Sequence, residues 1–164
     1  MNSAIKKIAV SAMLASLTCL ATLIKVPLPA AGYVNLGDAF VLLSGWLLPF
    51  PYGILAAGIG SGLADIFSGF AVYAPATFII KGLMALVVFL GHKISLKHKK
   101  SLLFMMLGGV FAEVVMVAGY YVFEGFMYGF VTMLVNIPFN ALQGAVGLVL
   151  GVLLVKLFDR VKLL

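Results

Sequence analysis

The chain has 164 residues, of which 64% are hydrophobic and only 10% are charged, and its formal net charge is +6. A soluble domain carries about 25% charged residues, so this composition excludes a soluble globular fold and favours a protein whose surface faces lipid. The basic residues lie in clusters between apolar runs rather than along one exposed face, which argues against a nucleic-acid-binding surface.

Apolar runs follow one another along the whole chain. The first comes directly after Lys6 and Lys7 and is similar to a signal peptide, but it lacks a small-residue cleavage site before a polar segment, so we interpret it as a retained span. It contains the single cysteine, Cys19, which excludes an internal disulfide or a cysteine metal site. A membrane-spanning helix needs about 20 apolar residues. The sequence therefore predicts six helices, at about residues 5–25, 37–50, 52–69, 74–92, 101–122 and 130–158; the second is short for a straight crossing.

Three basic clusters predict the orientation of these helices. They are Lys6 with Lys7, residues 93–100, and Lys156 with Arg160 and Lys162. In a bundle of six helices all three fall on one side, and the positive-inside rule places that side in the cytoplasm. We therefore predict an all-α integral membrane protein of one domain, residues 1–164, with six transmembrane helices and both termini cytoplasmic. The predicted outer loops are at about 26–36, 68–74 and 121–130.

Small residues recur at a spacing that allows helices to approach closely. Gly-x-x-x-Gly pairs occur at 58/62, 125/129 and 147/151. In the first helix, Ser11 pairs with Ala15 and Ala12 pairs with Ser16 at the same spacing. These residues either pack inside the bundle or form a face on which a partner subunit docks.

Ionisable residues inside predicted spans are costly in lipid and are candidates for function. Asp65 and Lys81 lie at similar depth on consecutive helices, so an ion pair between them is expected, either as a structural lock or as part of a site. Glu113 lies near the middle of the fifth span without an obvious partner. Asp38, at the start of the second span, is either a helix N-cap or a ligand contact.

The last predicted helix carries a polar face. Asn136, Asn140 and Gln143 are spaced i, i+4, i+7, and Pro138 among them predicts a kink. Three amides in hydrocarbon need partners, which are either other helices or a polar ligand. Tyrosines cluster at the outer ends of the helices, where they form either an interfacial belt or the walls of a site for a planar ring.

Sequence motifs of enzymes and ATPases do not occur in the chain. It has no G-x-x-x-x-G-K-[ST] loop and no H-E-x-x-H, and its histidines, His92 and His98, lie in a basic segment. We therefore predict no catalytic residues, no metal and no cofactor. If the protein moves a solute uphill, another protein must supply the energy.

Three motifs between Val26 and Ala85 are specific. They are NLGD at 35–38, GIGSGLAD at 58–65, and YAPAT at 73–77, which is followed by Lys81 and Gly82. This segment resembles the substrate-binding S components of energy-coupling factor (ECF) vitamin transporters. It is most similar to the riboflavin-type branch, which also includes hydroxymethylpyrimidine and pyridoxine carriers. The six-span layout extends the resemblance over the whole chain.

The resemblance implies a multi-pass protein of the bacterial plasma membrane that binds a vitamin or vitamin precursor from outside with high affinity. It also implies a transmembrane coupling subunit (T component) and two ATPase subunits as partners. The paired small residues Ser11/Ala15 and Ala12/Ser16 are similar to the Ala-x-x-x-Ala docking motif of S components, with a serine in place of one alanine in each pair.

The polar residues of the spans and the family motifs together give one expected site. Its predicted substrate-binding residues are Asn35, Asp38, Asp65, Tyr73, Thr77, Lys81, Asn136, Asn140 and Gln143. Short loops and a single tryptophan favour a small one-ring compound, hydroxymethylpyrimidine or pyridoxine, with riboflavin as the alternative. A stand-alone membrane carrier and an intramembrane enzyme are the competing functions.

Overall fold

The computed structural model describes residues 3–98 and 101–161; Lys99, Lys100 and Lys162, which belong to two of the basic clusters, lie outside the described residues. The described chain is a bundle of helices with a two-stranded ribbon. Its elements are α1 Ser3–Leu23, β1 Lys25–Pro27, β2 Tyr33–Asn35, α2 Asp38–Leu47, α3 Tyr52–Phe67, α4 Ala74–His98, α5 Ser101–Tyr128, α6 Phe130–Met133, a 3-10 turn Leu134–Asn136 and α7 Ile137–Val161.

Four helical stretches are long and apolar enough to cross a membrane. They are Ala4–Leu23, Ala74–Ser95, Leu103–Tyr128 and Phe130–Leu157. The helices α2 and α3 are apolar but have only 10 and 16 residues. At the rise of an α-helix, α2 is about 15 Å long, which is about half the thickness of the hydrocarbon layer.

The end of α5 differs from the prediction. The helix continues to Tyr128, whereas the sequence predicted an end near residue 122 and an outer loop at 121–130. The chain turns at Gly129, whose φ of +96° is a conformation that glycine adopts readily, and α6 begins at the next residue. The predicted loop is therefore mostly helical, and this extension brings Glu124 into the interior of the bundle.

The short helix α2 lies in the centre of the bundle. It contacts α7, α4, α3 and α1, and most of its residues are buried. A helix that is apolar on all sides belongs in a core. Leu42, Leu43 and Trp46 of α2 join Met84 and Val88 of α4 in the main hydrophobic cluster.

Two of the three predicted Gly-x-x-x-Gly pairs lie at close helix contacts. The 58/62 pair faces Phe78 of α4, and the 147/151 pair faces α2. A Cβ atom at Gly147 would lie 2.6 Å from Cβ of Asp38, so a side chain there would push α7 away from α2. The 125/129 pair instead shapes the turn after α5, so the prediction of helix packing is wrong for that pair.

The connection between α1 and α2, predicted as a loop with turn residues, forms the antiparallel ribbon. Its register pairs Lys25 with Asn35 and Pro27 with Tyr33. Hydrogen bonds from the ribbon reach α3 and α7, as described below. The ribbon therefore covers the end of the bundle at which α1 ends and α2 begins.

Candidate functional site

Polar side chains from five helices and the ribbon meet beneath the ribbon in one small cavity, here called the polar cavity. It encloses about 20 Å³, which is about the space that one water molecule needs. Its lining residues are Thr22, Gly32, Tyr33, Asn35, Ser61, Asp65, Tyr73, Thr77, Lys81, Tyr120, Glu124, Asn140 and Gln143.

The structure brings the nine predicted binding residues together, but not all of them face the cavity. Seven belong to the lining: Asn35, Asp65, Tyr73, Thr77, Lys81, Asn140 and Gln143. Asp38 and Asn136 lie behind this layer and hold lining residues in place through hydrogen bonds. The sequence thus predicted residues that lie close together in the structure, but it did not separate Asp38 and Asn136 from the lining; their role in substrate binding stays a prediction.

Lys81 pairs with Asp38. The Lys81 ammonium contacts Asp38 Oδ1, and the two side chains are 2% and 0% exposed. The expected pair with Asp65 is therefore corrected: Asp38 comes from the central helix α2 and stands nearer to the amine. The carboxylate of Asp38 does not cap its helix, since no side-chain cap bond forms there.

Gln143 links this ion pair to the ribbon. Its amide Nε2 donates to Asp38 Oδ2 at 2.5 Å, and its Oε1 accepts a hydrogen bond from the backbone N–H of Asn35 at 2.7 Å. Both polar ends of Gln143 are thus used within the protein. One glutamine therefore ties α7 to α2 and to β2, and any movement of the ribbon changes the surroundings of the ion pair.

Asp65 meets the ribbon at a second point. The hydroxyl of Tyr33 donates to Asp65 Oδ1, while Asp65 Oδ2 is buried without a hydrogen-bond partner among the described residues. Burial, together with the adjacent carboxyl group, raises the pKa of Tyr33, which keeps its hydroxyl protonated and able to donate. The Lys25 amine lies 4.9 Å from the centre of the Tyr33 ring, at the edge of the same contact.

Glu124, which the sequence did not predict, also lines the polar cavity and is 2% exposed. Asn136 Nδ2 donates to Glu124 Oε2 at 3.0 Å and to the backbone carbonyl of Ala31 at 2.8 Å. The Tyr73 hydroxyl lies 3.4 Å from Oε1. Glu124 lies one helical turn after Tyr120, so a helix that continued past residue 122 would have placed both side chains on one face. The sequence instead predicts an outer loop over this segment.

Aromatic rings and one amide complete the lining. The hydroxyls of Thr77 and Tyr120 lie 3.1 Å apart, and the Tyr73 ring packs edge-on against Phe123 with a centroid distance of 5.2 Å. Asn140 is 5% exposed and makes no side-chain hydrogen bond to the described part of the chain. These tyrosines are therefore more than an interfacial belt, and the Asn140 amide is available to a ligand.

A second, apolar cavity opens on the outer surface of the bundle between α5 and α7. This lateral groove has a volume of about 480 Å³ and is lined by Val110, Glu113, Val114, Val117, Ala118, Tyr121, Ile137, Ala141, Gly144, Ala145 and Leu148. Glu113 is 7% exposed, and neither of its carboxyl oxygens has a hydrogen-bond partner among the described residues. The groove thus contains a single ionisable side chain within an apolar wall, apart from the phenol of Tyr121.

The predicted docking residues of α1 do not all face the same way. Ala15 faces α3, because a Cβ atom at Gly60 would lie only 2.4 Å from the Ala15 carbonyl oxygen. Ala12 and Ser16 are exposed on the outside of the bundle, and Ser11 is half-buried. The serine hydroxyls donate to carbonyls within α1, at 2.7 Å for Ser11 and 2.9 Å for Ser16, so they place no unsatisfied donor on the surface.

A sequence model of the family described as ECF-type riboflavin transporter, S component, matches residues 2–160. The chain belongs to this family. S components are substrate-binding subunits of transporters, so this chain is a multi-pass membrane protein with a transport role and is not an enzyme. The family predicted from the motifs between Val26 and Ala85 is thereby confirmed.

Two proteins and one solved structure are similar to this chain over most of its length. The thiamine precursor transporter HmpT of Lactococcus lactis subsp. cremoris is 29% identical over 166 residues, which cover 99% of this chain and 93% of that protein. An uncharacterized Pyrococcus woesei protein from the gap 3′ region is 31% identical over 137 residues, covering 83% of this chain and 89% of that protein. A solved S component of a bacterial ECF transporter has a TM-score of 0.79 over 98% of this chain and 99% of its own, with 23% identity, and shows a shared fold.

Proposed function

We propose that this S component binds a one-ring vitamin or vitamin precursor in the polar cavity, hydroxymethylpyrimidine or pyridoxine, and delivers it to an ECF importer. The supporting observation is the cavity itself, because tyrosine rings, amides and carboxyl groups converge there within an otherwise apolar bundle. Such a combination suits a planar heterocycle with polar substituents. The relationship to a thiamine precursor transporter favours hydroxymethylpyrimidine. The family description favours riboflavin as the alternative.

The present conformation is closed. Ligand pockets in proteins usually measure about 300 Å³ or more, whereas the polar cavity encloses about 20 Å³. Binding therefore requires the ribbon and its contacts to move. The hydrogen bonds involved join Tyr33 to Asp65, Asn35 to Gln143, Asn136 to the Ala31 carbonyl and, at 3.5 Å, Lys25 to the Ser68 carbonyl. The Tyr33 ring also packs edge-on against Phe70. A ligand that takes over these hydrogen bonds would compensate for their loss.

The proposed arrangement in the membrane follows the sequence prediction. Six passes, with α2 and α3 as the short ones, place both termini in the cytoplasm and the ribbon on the outer side. Lys6 and Lys7 then face the cytoplasm, as the positive-inside rule requires. The polar cavity would accordingly load from outside the cell.

Binding measurements on the purified protein test the substrate. We expect saturable, high-affinity binding of hydroxymethylpyrimidine or pyridoxine by isothermal titration calorimetry, with one site per chain. Riboflavin is followed separately by quenching of its fluorescence. Tight binding of riboflavin alone would select the alternative, and no binding of any of the three would refute the proposed function.

The proposed partners are a T component and two ATPase subunits, which would dock on the exposed face of α1 that contains Ala12 and Ser16. A bulky Ala12→Leu change should reduce co-purification of the T component and uptake, without changing substrate affinity. An Ala15→Leu change faces α3 instead and should lower the stability of the S component itself. Uptake by vesicles that lack the T component and the ATPases would favour a stand-alone carrier.

A further inference from the structure

We propose that the polar cavity selects ligands that bring N–H or O–H donors and carry no negative charge, and that Asp65 and Glu124 enforce this choice. The inference rests on the proposed substrate-binding role of the cavity. It predicts that the free alcohol form of a ring compound is bound and its phosphate ester is rejected.

Lys81, a cation in the lining, is already paired within the protein. Lys81 contacts Asp38, and both side chains are fully buried, so the positive charge of Lys81 is neutralised from behind the cavity wall. An anionic ligand that drew Lys81 towards itself would leave Asp38 as a buried carboxylate with Gln143 as its remaining partner. Such a separation is strongly unfavourable. Lys81 is therefore a poor receptor for a phosphate group.

The two other carboxyl groups in the lining, Asp65 and Glu124, have no cation in hydrogen-bond contact among the described residues. Asp65 has one buried oxygen without a partner there. Glu124 Oε2 accepts from the Asn136 amide at 3.0 Å, whereas Oε1 has only the Tyr73 hydroxyl at 3.4 Å, a long and weak contact, so Oε1 can accept from a ligand donor. A buried acceptor without a donor is costly, and a ligand that supplies the donor removes that cost.

The positions of these two carboxyl groups also limit the ligand. Asp65 is on α3 and Glu124 is on α5, and both belong to the lining of the same cavity. A ring that fills the space between them would present a donor to each wall, for example an exocyclic amino group on one side and a hydroxyl group on the other. A phosphate placed there would face carboxylates instead, and this repulsion between like charges would weaken its binding strongly.

Three matched pairs of compounds test the selection on the unmodified protein. They are hydroxymethylpyrimidine, pyridoxine and riboflavin, each compared with its own phosphate ester by calorimetry. For whichever alcohol binds, we expect the ester to bind at least about a hundredfold more weakly. Equal affinity for an alcohol and its ester would overturn the selection but leave the transport function intact, whereas failure of all three alcohols to bind would overturn the transport function.

Substitutions then test the two residues. Glu124→Gln and Asp65→Asn keep the shape of the side chain and remove its charge. Each should weaken binding of the alcohol about tenfold, and each should reduce the ratio of the affinity for the alcohol to the affinity for the ester. Asp159→Asn is the control, since it removes a carboxyl charge from α7 at a position 16 residues beyond Gln143, about 24 Å along the helix, and it should leave both affinities unchanged. An unchanged ratio in both cavity variants would refute the roles of Asp65 and Glu124.

Discussion

The polar cavity and the lateral groove each have a buried glutamate of α5 in their wall, and the surroundings of these two side chains differ. Glu113 and Glu124 are eleven residues apart, or about three helical turns, so they lie on the same face of α5. Glu124 accepts hydrogen bonds from Asn136 and Tyr73. Glu113 has no hydrogen-bond partner among the described residues, and apolar side chains line the groove around it. Asp38 lies behind it, since a Cβ atom on Gly147 would lie 3.3 Å from Glu113 Oε1 and 2.6 Å from Cβ of Asp38.

Two buried glutamates of one membrane helix thus have different polar surroundings, and the presence of an ionisable residue alone does not separate them. What distinguishes the polar cavity is the number of elements that contribute to it, namely five helices and the ribbon, each with a polar side chain in the lining. The lateral groove is lined by α5 and α7 only. It is also much larger, about 480 Å³ against about 20 Å³, so size alone would select the lateral groove instead of the polar cavity.

The largest effect is expected from the ion pair that supports the polar cavity. Lys81→Met should lower the free energy of unfolding by about 3–5 kcal/mol, because it leaves the carboxylate of Asp38 buried without its counter-charge. Substrate binding should be lost as well. Equilibrium unfolding in detergent, followed by circular dichroism, measures the change.

The double variant Lys81→Met with Asp38→Asn provides the control. Since the Asp38→Asn change removes the unpaired charge, we expect the double variant to recover a large part of the stability that the single variant loses. If the two substitutions proved additive, Lys81 and Asp38 would not be coupled, and the account of the polar cavity as a network built on that pair would be wrong.

Much of the polar cavity could be predicted from the sequence. The i, i+4, i+7 spacing of Asn136, Asn140 and Gln143 placed three amides on one helix face, and hydropathy located every long helix. The partner of Lys81 was predicted incorrectly because depth in the membrane can be read from sequence position, whereas direction around the bundle cannot. Asp38 comes from a short central helix whose rotation is fixed only by tertiary packing.

Glu124 was missed for a different reason. Helix ends in apolar sequence without a proline or a clear cap are poorly defined, and the aromatic, glycine-containing segment at 121–130 is also typical of a loop. The extension of α5 to Tyr128 decides which way Glu124 points. The ribbon was missed similarly, since strands of three residues are too short to show an alternating pattern.

A moderate effect is expected at Asn140, whose amide lines the polar cavity but makes no hydrogen bond to the described residues. Asn140→Ala should weaken substrate binding by about 1–1.5 kcal/mol, or about tenfold, and leave the free energy of unfolding nearly unchanged. Calorimetry with the substrate and unfolding of the ligand-free protein measure the two quantities.

Gln143→Ala is the comparison for Asn140. Gln143 bonds to Asp38 and to Asn35, so its loss should reduce stability as well as affinity. An Asn140 variant that destabilised the ligand-free protein as much as the Gln143 variant would show that Asn140 has a structural role, and the division of the lining into ligand contacts and supporting residues would then fail.

The smallest effect is expected for Glu113 in the lateral groove, where a substitution should raise the free energy of unfolding instead of lowering it. Glu113→Met replaces an unpartnered carboxyl group by an apolar side chain of similar length, so the free energy of unfolding should rise by about 1 kcal/mol, and substrate affinity should not change. Unfolding in detergent and calorimetry again provide the measurements. A loss of stability or of affinity would mean that Glu113 has a partner in the working protein, either in a complex or in another conformation. In that case the contrast between the two glutamates of α5 would describe the closed state only, and the lateral groove would have to be counted as part of the transport machinery.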